Sequence, residues 1–332
     1  MSASDPSVGE LSEGAILRRI LDGLGPSRAL VGPGDDAAVI AAPGGRVVAT
    51  VDTLVHGPDF RLAWSSSFDL GWKAAAVNLA DVAAMGAVPS ALLVALAMPD
   101  DTRLSFVEGL AAGLRAACDE LAPGCAVEGG DLTVSDTLTI AVTALGSLDG
   151  VAPVLRSGAR VGDVVAVAGQ LGMAALGLDV LFSRFQDERG VPVAVDPEVF
   201  STLTAREAEG VAMQLRPRPP IPMGLRAARD GATAMMDVSD GLALDAGRMA
   251  AASGVTIDVA SGLLGEDLSR ALTGGEDHAL LATFPPDTVL PAGFRRIGTV
   301  GVRGPATVTV DGRPFDGPGG WDPYRDWDAG RG

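Results

Sequence analysis

The residues of this chain best placed to do chemistry are carboxylates standing beside glycine at the ends of strand-like runs. They occur as Gly34-Asp35-Asp36, Thr50-Val51-Asp52-Thr53, Gly129-Gly130-Asp131 and Asp237-Val238-Ser239-Asp240-Gly241. Asp81 adds a carboxylate within an alanine-rich helical run, three residues after Asn78 and so on the same helix face. A polar pair on a face that should be apolar needs a partner. Carboxylates gathered in one place repel each other unless they are protonated or bridged by cations, and hard oxygen donors favour Mg²⁺. Together the motifs point to a divalent-metal site. Taken singly, a GDD or SDG is usually a turn, with Asp bonding its own backbone and Gly supplying a positive φ. Asp240-Gly241 could simply cap the helix beginning LALDAGRMAAA. Arg156-Ser157-Gly158 reads equally as an ordinary interdomain turn or as part of a site.

Composition narrows the chemistry. The chain has 332 residues, with 25 Lys+Arg against 42 Asp+Glu, a formal net charge of −17. Such an acidic balance argues against nucleic acid or an anionic membrane as a partner, because both demand clustered cations. Lys73 is the one lysine, and it is followed by Ala74 and Ala75, so no P-loop of the GK[ST] type exists. Its expected place is a surface ion pair with Asp69, four residues earlier. With His56 and His278 the only histidines and no GxSxG motif, a hydrolase triad has few bases to draw on. Cys118 and Cys125 are spaced like neither a redox CxxC pair nor half of a zinc ribbon, and read as reduced thiols. The start MSASDPSVGE has no basic or apolar region of a secretory signal, and no run spans a bilayer uninterrupted; a cytoplasmic location is expected.

The elements that must position these residues alternate between strand and helix. Apolar β-rich runs cover 46–53, 91–98, 125–129 and 137–148, with helical patterns from Ser67 to near Gly86 and from Asp101 to Leu121 between them. This β-α-β-α-β-β half of 1–149 is followed by a second α/β half, 150–332. Its expected strands are DVVAVAG, TAMMDV, VTIDV, HALLATF, RRIGTVGV and ATVTV, and its helices start at Met173 and in TAREAEGVAMQLRP. Strands and helices alternating in both halves argue for α/β layers.

The ordered series GPGDDAAV, TVDTLV, WKAAAVNLADVAAMGAVP, EGGDLT, RSGARVGD, DVSDGL and LTGGEDHAL spans residues 32–280 and closely resembles the thiamine-monophosphate kinase family. That family lies within the aminoimidazole-ribonucleotide (AIR) synthetase-like, or PurM-like, superfamily of ATP-using enzymes. NLADVAAMGA carries the superfamily likeness, while RSGA, DVSDGL and GGED together favour the kinase. GGED is only superficially like the GGDEF signature of nucleotide cyclases.

The resemblance implies a two-domain fold whose N-terminal four-stranded sheet pairs with that of a second subunit to form a barrel, hence a homodimer, with a C-terminal α/β domain beside it. It implies ATP and Mg²⁺ as cofactors and thiamine monophosphate as the acceptor of a directly transferred phosphoryl group, giving thiamine diphosphate. Asp36, Asp52, Asp81, Asp131, Asp237 and Asp240 match the family's metal-holding positions, Thr50 a position whose hydroxyl contributes to a metal, and Asp52 and Asp131 the most essential of these. Gly130, Arg156 and Ser239, together with Asp36 and Asp131, match nucleotide-binding positions. Glu276 and, in GGWDP, Trp321 match residues holding the thiamine moiety, where a carboxylate and an indole face suit a flat cationic ring. No covalent nucleophile or general base is implied.

Two positions depart from the family pattern. Val51 stands where a second hydroxyl residue is usual, leaving only its backbone carbonyl as a ligand. Asp59 stands where a histidine usually meets the substrate phosphate, an unfavourable exchange unless a metal intervenes; His56 is the available substitute. The alternatives are another ATP-using enzyme of the superfamily, or a metal- and nucleotide-binding regulator without catalysis. The C-terminal RDWDAGRG lacks the cysteine of hydrogenase maturation, and the reactive Cys and N-terminal Lys of selenophosphate synthetases are absent.

Overall fold

The computed structural model describes residues 5–31, 38, 40–317 and 320. After helix α1 (Glu13–Leu24), the first half runs β1 (Val48–Val55), α2 (Ser67–Ala84), β2 (Val88–Met98), α3 (Leu104–Leu121), β3 (Ala126–Val134) and β4 (Thr139–Ser147). The four strands form one sheet in the order β1-β4-β2-β3, with β2 and β3 parallel and the other pairs antiparallel. Along β4, buried and half-buried residues alternate strictly, the pattern of a sheet packed on one face only. Leu92, Leu96, Ile140 and Val142 on that face meet Leu79 and Val82 of α2. Val51, Val88 and Val134 remain exposed.

The second half contains β5 (Val164–Ala168), α4 (Met173–Arg184), α5 (Pro197–Phe200), α6 (Ala205–Leu215), α7 (Ile221–Arg229), β6 (Ala234–Val238), α8 (Leu242–Ser253), β7 (Thr256–Val259), α9 (Leu268–Thr273), β8 (Ala279–Phe284), β9 (Phe294–Gly301), β10 (Val308–Val310) and β11 (Arg313–Pro314). Its seven strands are ordered β11-β10-β7-β9-β5-β8-β6. Every residue of β5 and β8 is buried, because helices cover both faces of the centre of this sheet. Leu242 and Met249 of α8 pack on one side; Ala227 of α7 and Ala84 at the end of α2 pack on the other.

Helix α2 therefore belongs to both cores. A reciprocal capping box between Ser66 and Asp69 starts it, and it stops where Gly86 takes φ 77°. Between those ends it is buried along almost its whole length, which its alanines allow. It crosses α3 at van der Waals distance: a Cβ on Gly71 would stand 2.0 Å from the Leu110 carbonyl oxygen, and one on Gly113 2.1 Å from that of Phe68.

The expected elements are present with shifted ends. Helix α3 starts at Leu104 rather than Asp101, because the carbonyls of Asp100 and Thr102 accept hydrogen bonds from Gly9 and Val8 of the N-terminal segment. Strand β3 runs on to Val134, placing Gly129-Gly130-Asp131 inside the strand rather than at its tip. Helices α1, α5, α7 and α9 add to the expected set.

The close helix crossing makes Gly113→Val a severe change, with an expected stability loss on the order of 2–3 kcal/mol from overpacking. Gly262→Ala, where a Cβ meets nothing within 4 Å, should leave urea unfolding unchanged. Equal midpoints for the two variants would contradict the packing described.

Candidate active site

The polar residues of α2 open onto a seam where the two halves meet. Thr50 and Asp52 are two apart on β1 and so share the face turned toward α2. The Thr50 hydroxyl donates to Asp81 Oδ2 at 2.8 Å, and the Asp52 N–H donates to Asn78 Oδ1 at 3.0 Å. Asn78 is itself fully buried and donates through its amide nitrogen to the Ala74 carbonyl, so the expected Asn78–Asp81 pair finds its partners on β1.

Across the seam, the last turn of β6 and the approach to β8 supply the other groups. Asp237 Oδ2 lies 3.2 Å from Nδ1 of the buried His278. Asp240 pairs with Arg248 of α8, and its N–H donates to Asp245 Oδ2 at 3.0 Å. It does not cap α8: that place falls to Gly241, at φ 121°, where no side chain closes the helix end. The Glu276 N–H donates to the Ser239 carbonyl at 2.6 Å, tying the DVSDGL turn to the GGED turn.

The charges crowd. Burial, reinforced by Asp237 and Asp52, pushes the Asp81 carboxyl up to about 7. Burial also raises Asp52, with His278 opposing and Asp237, Asp240 and Asp59 adding to the rise. Burial lifts Asp245 to about 6. His278 moves the other way from an ordinary buried imidazole: burial disfavours its charge, but the hydrogen bond and charge of Asp237 outweigh it and raise the group. Among the described residues no three His, Cys, Asp or Glu side chains close tightly enough to hold an ion on their own. Thr50, Asp52, Asp81 and Asp237 are the hard-oxygen side chains of the seam that could contribute to a divalent cation such as Mg²⁺.

Asp131 stands apart from this group. It pairs in register with Ala95, which pairs with Ala141, which pairs with Thr53, so it lies three strands from β1, about 14 Å at the usual strand spacing. It also faces the exposed side of the sheet, with Thr53 and Val51, and away from Asp52. Gly130 beside it is required by contact, since a Cβ there would lie 1.9 Å from the Val94 carbonyl oxygen. Arg156 has an exposed side chain and accepts at its carbonyl from the Ser253 hydroxyl, beside a surface cavity of about 330 Å³ lined by Val154, Ser157 and Thr233. Asp36 and Trp321 lie outside the described residues.

At the other end of the seam, Glu276 accepts from Lys73 Nζ at 2.8 Å and from the Gln214 amide. Burial alone would raise the Glu276 carboxyl, but Lys73, aided by His278 and Gln214, holds it below its ordinary range. Lys73 is thus not on the surface beside Asp69; Asp69 pairs with Arg216 at 3.1 Å. Asp59 Oδ2 accepts from the Val55 N–H at 2.7 Å, closing the turn after β1, and burial raises its carboxyl despite nearby Lys73 and Arg61. His56 is exposed and packs on Phe60 with ring centroids 5.6 Å apart, held below its usual range by partial burial and Arg61. Sequence reasoning misplaced Lys73 and gave no site role to Gln214, Asp245 or His278. Gln214 had one signal, its three-residue spacing from Val211 on the buried face of α6.

Residues 34–148 match the family model for the N-terminal domain of AIR synthase related protein. A thiamine-monophosphate kinase from Mycobacterium tuberculosis is 39% identical over 98% of this chain and 95% of its own. The chain belongs to the thiamine-monophosphate kinase family. Its fold agrees: a crystal structure of thiamine-monophosphate kinase from Stenotrophomonas maltophilia superposes with a TM-score of 0.75 at 35% identity, covering 92% of this chain and 98% of that one. A further solved structure, AaThiL complexed with AMPPCP and TMP, superposes with a TM-score of 0.72 at 32% identity over 94% of this chain and 97% of that one. The two sheets, with helices packed on them, thus form the AIR synthetase-like fold of this family. Among the described residues no helix is long and apolar enough to cross a membrane.

Asp81 gives the site a measurable pH signature. Folded, it keeps its proton to about pH 7, against 3.8 in an ordinary setting. Its contribution to stability is therefore complete below pH 3.8 and is lost as pH rises through 7. The melting temperature of metal-free protein is expected to fall between pH 5.5 and pH 7.5, with Asp81→Asn flattening that fall. An unchanged slope in Asp81→Asn would remove Asp81 from the account.

Proposed function

We propose that the seam transfers the γ-phosphoryl group of ATP directly, in line, to the terminal phosphate oxygen of thiamine monophosphate, with Mg²⁺, giving thiamine diphosphate and ADP. The observation that carries this reading is the convergence of Asp52, Asp81 and Asp237 on one seam of a chain in this family. Mg²⁺ bound there would neutralise phosphate charge in a chain that has no P-loop lysine. The oxygen donors we assign to it are Asp36, Asp52, Asp81, Asp131, Asp237 and Asp240, the Thr50 hydroxyl and the Val51 carbonyl. Gly130, Arg156 and Ser239 are assigned to the nucleotide; Glu276, Trp321 and Asp59 to thiamine monophosphate.

A phosphate monoester is largely ionised near neutral pH, so no strong base is required and catalysis reduces to alignment and charge stabilisation. His278 fits a supporting part, orienting the Asp237 carboxylate. Asp59 is engaged by the Val55 N–H and lies near Lys73 and Arg61, which softens its repulsion of a phosphate.

The assembly we propose is a cytoplasmic homodimer of two-domain chains, divided at 149/150. The exposed apolar face of the four-stranded sheet and its two edge strands, β1 and β3, are what a second copy would cover. Asp131 would then serve the Asp52 site of the partner subunit, since within one chain the two residues lie on opposite edges and opposite faces.

Asp52→Asn and Asp131→Asn are each expected to abolish thiamine diphosphate production from thiamine monophosphate, ATP and Mg²⁺ while leaving the fold intact. Wild-type rates in either variant would count against the metal site, and product from free thiamine alone would point to a pyrophosphokinase. ATP binding without ADP formation would instead favour a regulator. Mixed dimers of the two variants should regain about a quarter of wild-type turnover, the share expected when the two carboxylates act across the interface. No recovery on mixing, or a monomer at micromolar concentration in sedimentation, would overturn the shared site.

A further inference from the structure

The only lysine of the chain is buried, its side chain 6% exposed, on a helix that both cores share. Its ammonium reaches across the seam to Glu276 Oε2 at 2.8 Å, and the Gln214 amide donates to the same oxygen. Glu276 Oε1 takes no hydrogen bond from a described residue, and the Glu276 side chain keeps 38% of its surface exposed. The backbone is restrained as well: Glu276 sits at φ 66°, which a residue with a Cβ adopts rarely, and its N–H is bound to the Ser239 carbonyl. Three elements far apart in sequence, α2, α6 and the GGED turn, thus converge to fix one carboxylate.

This arrangement is a poor bargain for stability alone. A buried ion pair returns little beyond its desolvation cost, and apolar residues of the same shape would often serve the fold as well. Gln214 is buried too, and its Oε1 has no partner among the described residues, which is unfavourable in itself. What the two donors achieve is orientation: they occupy one oxygen of Glu276 and leave the other without a donor among the described residues, on a side chain that stays partly exposed.

We propose that Lys73 and Gln214 are positioning residues for the organic end of the acceptor substrate, holding Glu276 so that its free oxygen meets a flat, cationic, amino-bearing heteroaromatic ring. This rests on the reading of Glu276 as a substrate-binding residue of the kinase site. It explains why the chain's one lysine is placed away from the phosphates: its charge is spent on a carboxylate, which keeps Glu276 ionised and aimed.

The test is steady-state kinetics of Lys73→Met, Lys73→Arg and Gln214→Leu, each checked for a cooperative melt. Lys73→Met should raise KM for thiamine monophosphate about tenfold or more, as expected for losing one partner of a buried charged pair, with KM for ATP within about twofold of wild type. Lys73→Arg should restore most of the loss, and Gln214→Leu should raise the same KM severalfold. An unchanged KM for thiamine monophosphate in a folded variant, or equal rises for both substrates, would overturn the proposal. If Lys73→Met fails to fold, Gln214→Leu decides the matter. A wild-type protein that forms no ADP with thiamine monophosphate present would refute the kinase reading, and this inference with it; full wild-type turnover alongside unchanged variant KM values would refute this inference alone.

Discussion

Everything at the site depends on a single helix being buried from two sides. Helix α2 is packed against the four-stranded sheet along one flank and against α7 and β6 along another, leaving little surface for polar side chains to reach water. Lys73, Asn78 and Asp81 must then find partners inside the protein, since a buried polar group without one is costly. They find them in different halves: Asn78 and Asp81 on β1, Lys73 on the GGED turn. The helix thus sets the relative position of the two cores and of the groups that line their junction. Alanine and glycine make this possible, because only small side chains let α3 approach to the distance seen at Gly71 and Gly113.

The second constraint is electrostatic. Crowded carboxylates in a half-buried seam are unstable as neighbours, and among the described residues no lysine or arginine forms an ion pair with Asp52 or Asp81. The consequence is a set of acids held above their ordinary range at one end, and at the other a carboxylate held below it by Lys73. Such a gradient divides the seam chemically. In the function proposed above, one end would take divalent cations and the phosphates they carry, and the other would offer its fixed anion to an organic cation. A phosphoryl transfer between ATP and thiamine monophosphate needs both ends, and needs little else when the acceptor oxygen is already ionised.

Much of this was legible in the residues. The four strands of the first half, the capped alanine-rich helix after Ser66 and the all-buried runs of β5 and β8 follow from periodicity and capping chemistry, which act within a few residues. The acidic motifs were visible because Asp beside Gly is conspicuous. Element ends were less so: the Asp100 and Thr102 carbonyls are claimed by a segment nearly a hundred residues away, and no local pattern records that. Lys73 was misread for the same reason. Asp69 is a plausible partner at helical spacing, yet Arg216 takes Asp69, and Lys73 turns inward to a residue 203 positions later.

The sequence by itself determined which residues are acidic, which runs can be strand or helix, and that any phosphate chemistry must proceed without a P-loop lysine. Only the tertiary structure decided which acids meet. It brought Asp52, Asp81 and Asp237 to one seam, placed Asp131 on the opposite edge and face of its sheet, and joined Lys73 and Gln214 to Glu276. The physical reason is that charge and hydrogen bonding act over a few ångströms of space, whereas sequence patterns report only the distance along the chain.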